Sequence, residues 1–255
     1  MSIKFEKKYF DELANLKINK PQGQLSGHNS GEPFCDEIYN FLKKKNNKNI
    51  FKQYEYLNQL LSKNNSKKTS QERLELFKGT FGFIINRGKT SLDKWTPQTL
   101  FEEKQNDTAD ILFIDDKVNT IIDVKTKNIS KKGQPPNIIS AYKMAHIAES
   151  IINNDDGDKI DINYIGIDWE LNDNFLNLKE IVVRDLFKIT PEKIYINWAA
   201  ALQIQFDVST IDQNYTKGKK DWASDYLKTY IKSVQNRKKI LDKKFINPFL
   251  YLVNH

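Results

Sequence analysis

Two short β-favouring runs in the middle of the chain most restrict how it can fold. Residues 109–114 read A-D-I-L-F-I and residues 119–124 read N-T-I-I-D-V, and both are rich in side chains that suit a pleated sheet. Between them stands Asp115-Asp116-Lys117, a polar stretch typical of a turn. The pattern predicts a β-hairpin and therefore commits this part of the chain to a sheet.

The flanking sequence indicates further strands together with helices. Residues 160–169 and 175–183 predict a second pair of strands, and residues 194–208 contain strand-like residues that fit no single element. Apolar residues at helical spacing predict helices at residues 32–44, 137–152 and 221–244. The expected fold class is α/β, with a mixed central β-sheet flanked by helices.

Three side chains with related chemistry fall on the first predicted hairpin. Asp110 begins its first strand, and Asp123 and Lys125 stand late in its second. Because alternate residues of a strand share a face, Asp123 and Lys125 should point to one side and Val124 to the core. Pairing can bring Asp110 beside Asp123, so that two carboxylates and the Val124 carbonyl offer oxygen ligands to a hard cation. The Lys125 ammonium could then stabilise charge on a phosphorane or lower the pKa of an attacking water.

This arrangement resembles the PD-(D/E)xK nucleases, with Ala109 in place of the usual proline. The motif is degenerate, because an Asp followed by Asp-x-Lys arises by chance in a lysine-rich chain. If the match is a chance one, this part of the chain would be an exposed hairpin with a surface Asp–Lys ion pair that contributes little to stability.

The residue types that bind metals narrow the choice of cofactor. Cys35 is the only cysteine, and the chain has three histidines, so neither a thiolate cluster nor a histidine-rich zinc site is expected. A metal would be held mainly by oxygen, which favours Mg²⁺, Mn²⁺ or Ca²⁺.

The formal charge of +7 fits a polyanionic partner, but a solvated lysine-rich surface explains it equally well. The sequence has no apolar run of the roughly 18–20 residues that a bilayer requires, and residues 1–8 do not read as a signal peptide. We expect a cytoplasmic protein with no membrane association.

Longer blocks resemble one family. They include residues 101–112 (F-E-E-K-Q-N-D-T-A-D-I-L), 123–126 (D-V-K-T), 136–143 (P-N-I-I-S-A-Y-K), 51–58 (F-K-Q-Y-E-Y-L-N), 168–172 (D-W-E-L-N) and 195–201 (Y-I-N-W-A-A-A). These blocks resemble the HincII/HindII family of type II restriction endonucleases, and with shorter ones they run in order from near residue 25 to past residue 205. The resemblance therefore covers most of the chain.

The resemblance implies roles for individual residues. It implies that Asp110 and Asp123 bind Mg²⁺, which Mn²⁺ can replace, and that Lys125 is the catalytic lysine. It implies DNA contacts at Lys89, Gln134, Asn137, Tyr195, Asn197, Ala199, Ala201 and Gln205, with Gln134 inserted between base pairs.

The resemblance also has implications for the whole protein. The predicted elements indicate that this is one endonuclease domain over residues 1–255, with the helix at about 221–244 packed on that domain or at a dimer interface. The enzyme would be a homodimer that cuts double-stranded DNA at GTYRAC, or a subset of it, and leaves blunt ends.

Two other functions remain open on the sequence alone. One is a sequence-specific DNA-binding protein on the same fold that does not cleave. The other is a PD-(D/E)xK nuclease that acts on RNA or on branched DNA.

Overall fold

The structure is a computed structural model, and it describes residues 5–23, 28–46, 48–64, 77–85, 108–133, 135–199 and 202–253. Within these ranges lie strands β1 (Lys17–Asn19), β2 (Ile50–Lys52), β3 (Ile111–Phe113), β4 (Asn119–Asn128), β5 (Asn137–Ser140), β6 (Ile160–Asn172), β7 (Phe175–Asp185), β8 (Tyr195–Asn197) and β9 (Gln203–Gln205). The helices are α1 (His28–Lys45), α2 (Gln53–Asn64), α3 (Gly79–Ile85), α4 (Ala141–Asn154), α5 (Lys219–Leu241) and α6 (Asn247–Val253). A π-helical turn, Asp242–Ile246, joins α5 to α6.

Two sheets organise the described residues. The main sheet has the strand order β1-β7-β6-β4-β3-β2. Its β4 and β6 run parallel, whereas its other neighbouring strands are antiparallel. A smaller antiparallel sheet has the order β5-β9-β8. The expected mixed central sheet is confirmed.

Helices cover both faces of the main sheet. On β4, Ile121 belongs to a core that includes Met144 of α4 and Trp222 of α5. The next residue, Ile122, belongs to a second core, which also contains Val124 of β4 and Phe34 of α1. Alternation along β4 therefore sends successive side chains into two different apolar layers.

Both predicted hairpins are present, but one predicted helix begins differently. Leu112 pairs with Ile121 in the β3–β4 hairpin, and β6 pairs with β7 over most of their length. The helix predicted at residues 137–152 begins only at Ala141, because residues 137–140 form β5 and Ser140 caps the helix by accepting from Lys143 N–H. That strand depends on pairing with β9, far along the sequence, which local spacing does not reveal.

The C-terminal helix is buried at its start and exposed beyond it. Trp222 Nε1–H donates to the Ile189 carbonyl at 2.8 Å, and the Tyr226 hydroxyl donates to the Ala141 carbonyl at 3.0 Å. Further on, large apolar side chains are exposed and form what we call the C-terminal apolar surface, comprising Ile231, Val234, Ile240, Leu241, Phe245, Ile246, Phe249, Leu250, Tyr251, Leu252 and Val253. Among the described helices, none combines the length and apolar character needed to span a membrane.

Candidate active site

The β3–β4 hairpin places Asp110 across from Asp123. Ile111 pairs with Ile122, and Asp110, one residue before β3, donates its N–H to the Ile122 carbonyl at 3.1 Å. The Asp110 carboxylate in turn accepts from Val124 N–H at 2.7 Å. Asp110 is thus fixed to β4 by two hydrogen bonds, and the two carboxylates are neighbours, as the sequence predicted.

Lys125 completes the cluster on the same side of the sheet. Its Nζ lies 2.8 Å from Asp123 Oδ2, and the Lys125 and Asp123 side chains are only 20% and 13% exposed. Val124 packs into the core beneath α1, so Asp123 and Lys125 point to the opposite face. The alternation expected from the sequence is therefore present.

The electrostatics of the cluster favour a bound cation. Burial raises the pKa of Asp123 well above its usual value, the Lys125 ammonium opposes this, and the Asp110 charge adds to it. Burial by itself would lower the pKa of Lys125. The combined effect of the Asp123 and Asp110 carboxylates is larger than the effect of burial, so the pKa of Lys125 is raised overall. One ammonium cannot neutralise two carboxylates, so the ionised cluster carries excess negative charge.

The donor atoms also suit a hard divalent cation. Side-chain ligands are few, because within the described ranges no group of three or more His, Cys, Asp or Glu side chains could hold a metal ion. The cluster on the hairpin offers two carboxylates and one main-chain carbonyl. The Asp110 and Asp123 carboxylates and the Val124 carbonyl supply only oxygen, which Mg²⁺ prefers, and Mg²⁺ usually keeps several waters or phosphate oxygens as further ligands. These residues therefore fit Mg²⁺.

Gln53 anchors the segment that leads into Asp110, and sequence reasoning missed it. Its side chain is fully buried at the start of α2. Its Oε1 accepts from Thr108 N–H at 3.0 Å and Ala109 N–H at 2.9 Å, and its Nε2 donates to the Ile85 carbonyl at 3.2 Å. Gln53 lies in a block that carried the family resemblance, but no local pattern links it to residues more than 50 positions away.

The smaller sheet packs on the face of the main sheet that carries Asp123. Tyr164, the β6 partner of Asp123, makes an edge-to-face contact with Phe206 at a ring-centroid distance of 5.5 Å. Gly166, the partner of Lys125, lies so close to this layer that an added Cβ would come within 2.9 Å of Val208. The residues that follow β9 are therefore packed directly against the strand beside the acidic cluster.

Most of the residues expected to contact DNA lie together on the smaller sheet. Asn137 is exposed on β5, Tyr195 and Asn197 lie on β8, and Gln205 is buried at the end of β9. Ala199 is exposed in the turn after β8. Lys89, Gln134 and Ala201 fall outside the described residues.

A mixed sheet with helices on both faces, and with two acids and a lysine on a central hairpin, is the arrangement of the restriction-endonuclease class of nucleases. Residues 10–253 match the family model described as restriction endonuclease HincII. The chain belongs to the HincII restriction endonuclease family.

Two curated relatives and one solved structure are similar to this chain. The type II restriction enzymes HindII and HincII, both from Haemophilus influenzae, are each 45% identical to it over 239 residues, which is 93% of this chain and 93% of theirs. The structure of the NlaIV restriction endonuclease aligns over 99% of this chain and 92% of its own with 14% identity, and its TM-score of 0.34 is too low to support a conclusion.

Proposed function

We propose that this restriction endonuclease is a cytoplasmic, Mg²⁺-dependent homodimer that cuts both strands of DNA at GTYRAC, or a subset of it, and leaves blunt ends. The observation that carries the proposal is the partly buried cluster of Asp110, Asp123 and Lys125 in a member of this family. Similarity to two type II restriction enzymes over 93% of the chain supports it.

Asp110, Asp123 and the Val124 carbonyl would hold the cation, and Mn²⁺ could replace Mg²⁺. When bound there, the ion supplies positive charge to the scissile phosphate and lowers the pKa of the attacking water. Asp110 is already oriented by its hydrogen bond from Val124 N–H, which limits reorganisation when the substrate arrives.

Lys125 contributes charge from within the protein. Its ammonium is held by Asp123 and is largely shielded from water, where electrostatic interactions are stronger than in bulk solvent. Its raised pKa keeps it protonated at neutral pH, so we assign it to stabilising the negative charge that develops on the phosphate.

The smaller sheet would contact the bases. Its proposed DNA contacts are Asn137, Tyr195, Asn197, Ala199 and Gln205, of which the buried Gln205 would act through Asn137. Tyr195 is 61% exposed and available to a duplex. Lys89, Gln134 and Ala201 complete the proposed set, with Gln134 as the residue that enters between base pairs.

Digestion of plasmid DNA tests this function against its alternatives. The purified protein with Mg²⁺ should give discrete fragments, EDTA should stop the reaction, and sequencing the fragment ends should show blunt cuts within GTYRAC. Specific binding without cutting would instead indicate a non-cleaving DNA-binding protein. Cleavage of RNA or of branched DNA alone would indicate a PD-(D/E)xK nuclease of another kind.

The homodimer is proposed to form through the C-terminal apolar surface of a domain that spans residues 1–255. Phe245, Phe249 and Val253 recur at helical spacing and are 62%, 58% and 76% exposed. Exposed apolar patches of this kind mark interaction sites on soluble proteins. A second copy is the partner that a palindromic site requires, because a two-fold symmetric sequence is matched by a two-fold symmetric pair of subunits.

We expect the double variant Phe245→Lys/Phe249→Lys to weaken dimerisation by roughly 30-fold or more, because large aromatic side chains often dominate interface energies. Sedimentation velocity over a range of protein concentrations measures the monomer–dimer equilibrium. The matched control is Lys238→Ala, which removes a polar side chain from the same helical region. Unchanged association in the double variant would exclude this surface, and a wild type that is monomeric both free and on DNA would exclude the dimer.

A further inference from the structure

Three amide side chains form a hydrogen-bonded row across the smaller sheet. Asn197 Nδ2 donates to Gln205 Oε1 at 2.9 Å, and Gln205 Nε2 donates to Asn137 Oδ1 at 2.7 Å. The row runs from β8 through β9 to β5, and Gln205 in its middle is only 8% exposed. A buried amide that uses both ends is held in one orientation.

The direction of the row is set by one backbone group. Ala199 N–H donates to Asn197 Oδ1 at 3.0 Å, and a backbone N–H can only donate. Asn197 must therefore turn Nδ2 toward Gln205, which accepts with Oε1 and donates with Nε2. Asn137 must then accept with Oδ1, so every amide in the row has a fixed orientation.

The row ends at a donor on the surface. Asn137 is exposed, and its Oδ1 is turned inward to Gln205. Its Nδ2 has no hydrogen-bond partner among the residues that the structure describes. The sheet thus presents an N–H₂ group to an approaching ligand, with its carbonyl end engaged behind it.

We propose that Gln205 is a positioning residue that fixes Asn137 as a hydrogen-bond donor to acceptor atoms on one base edge, and so makes that position prefer guanine to adenine. This rests on the proposed function. In the major groove guanine presents two acceptors, N7 and O6, whereas adenine pairs with asparagine through one donor and one acceptor. An Asn137 whose Oδ1 is turned inward to Gln205 can still donate to adenine N7, but its N–H₂ group then faces the N–H₂ group of adenine where guanine offers the O6 acceptor. Gln205 orients Asn137 and does not itself contact the base, since its own side chain is buried and hydrogen-bonded at both ends.

The Gln205→Glu variant tests the direction of the row. A carboxylate at position 205 still accepts from Asn197 but cannot donate to Asn137, so Asn137 should turn its Nδ2 inward and its Oδ1 outward. The readout is single-turnover cleavage of duplexes in which each guanine of the site is replaced by adenine, each with its matching partner base. At one symmetric pair of positions, the guanine-to-adenine rate ratio should fall by roughly 10- to 100-fold relative to the wild type. A residue needed only for folding would reduce all rates together and leave this ratio unchanged.

Asn137→Asp supplies a second measurement on an exposed residue, where folding is not at risk. It replaces the outward N–H₂ with an oxygen and should lower the same ratio at the same positions. Asn177→Asp, on β7 and away from the smaller sheet, is the control and should leave every ratio unchanged. Wild-type ratios at all positions in the Gln205→Glu and Asn137→Asp proteins would overturn the proposal. A wild-type protein that cuts no DNA would overturn the proposed function instead, so the two failures are distinguishable.

Discussion

The Asp123→Asn protein is expected to bind its DNA site but to cut it at least about 1,000-fold more slowly than the wild type. Asparagine keeps the size of the side chain but removes the negative charge that the cation and the Lys125 ammonium require. Asn137, Tyr195 and Asn197, which are proposed to contact bases, lie on the separate smaller sheet, so affinity should change little. Single-turnover cleavage with Mg²⁺ measures the rate, and fluorescence anisotropy without Mg²⁺ measures binding.

The control for this variant lies on the same hairpin. Asp116 is exposed in the turn between β3 and β4, and Asp116→Asn makes the same chemical change outside the cluster. It should cut at the wild-type rate. Full cleavage by Asp123→Asn would show that the active site lies elsewhere in the chain.

Gln53→Leu should lower the free energy of unfolding by about 3 kcal/mol, because it leaves buried polar backbone groups without a partner. The groups affected are Thr108 N–H, Ala109 N–H and the Ile85 carbonyl. Urea unfolding followed by circular dichroism measures this loss. Cleavage by the protein that remains folded should also slow, because the segment that positions Asp110 loses its anchor.

Asn58→Leu is the matched control on the same helix. Asn58 is exposed on α2, and surface substitutions of this kind usually change stability by less than about 0.5 kcal/mol. If Gln53→Leu were as stable and as active as Asn58→Leu, Gln53 would have no part in holding Asp110.

The sequence predicted the acidic cluster because its geometry is local. Asp110 and Asp123 lie on adjoining strands of a hairpin, where the two-residue period of a strand and antiparallel pairing determine which side chains meet. The extension of β4 to Asn128 was not predictable in the same way. It depends on parallel pairing with β6, which begins more than 30 residues later and joins through a crossover that contains α4.

The smaller sheet shows why β5 and the hydrogen-bonded row of amides could not be predicted from the sequence. Residues 137–140 carry apolar spacing that suits a helix, but Asn137 pairs with Gln205 and so forms a strand. Family resemblance pointed to Asn137, Asn197 and Gln205 without indicating that they share one row. The orientation of each amide depends on Ala199 N–H, a main-chain group that no side-chain pattern can report.

The acid pair and the amide row differ in how far apart their residues lie in the sequence. This separation sets the entropic cost of forming each contact during folding. The hydrogen bond from Val124 N–H to Asp110 closes a loop of 14 residues, whereas the one from Gln205 to Asn137 closes a loop of 68. By chain statistics the longer loop loses about 1.4 kcal/mol more entropy on closure, before any packing compensates. The acid pair therefore belongs to the low-contact-order part of the molecule and the amide row to the high-contact-order part. A folding chain reaches the geometry of the acid pair at a lower entropic cost than the geometry that would select a base.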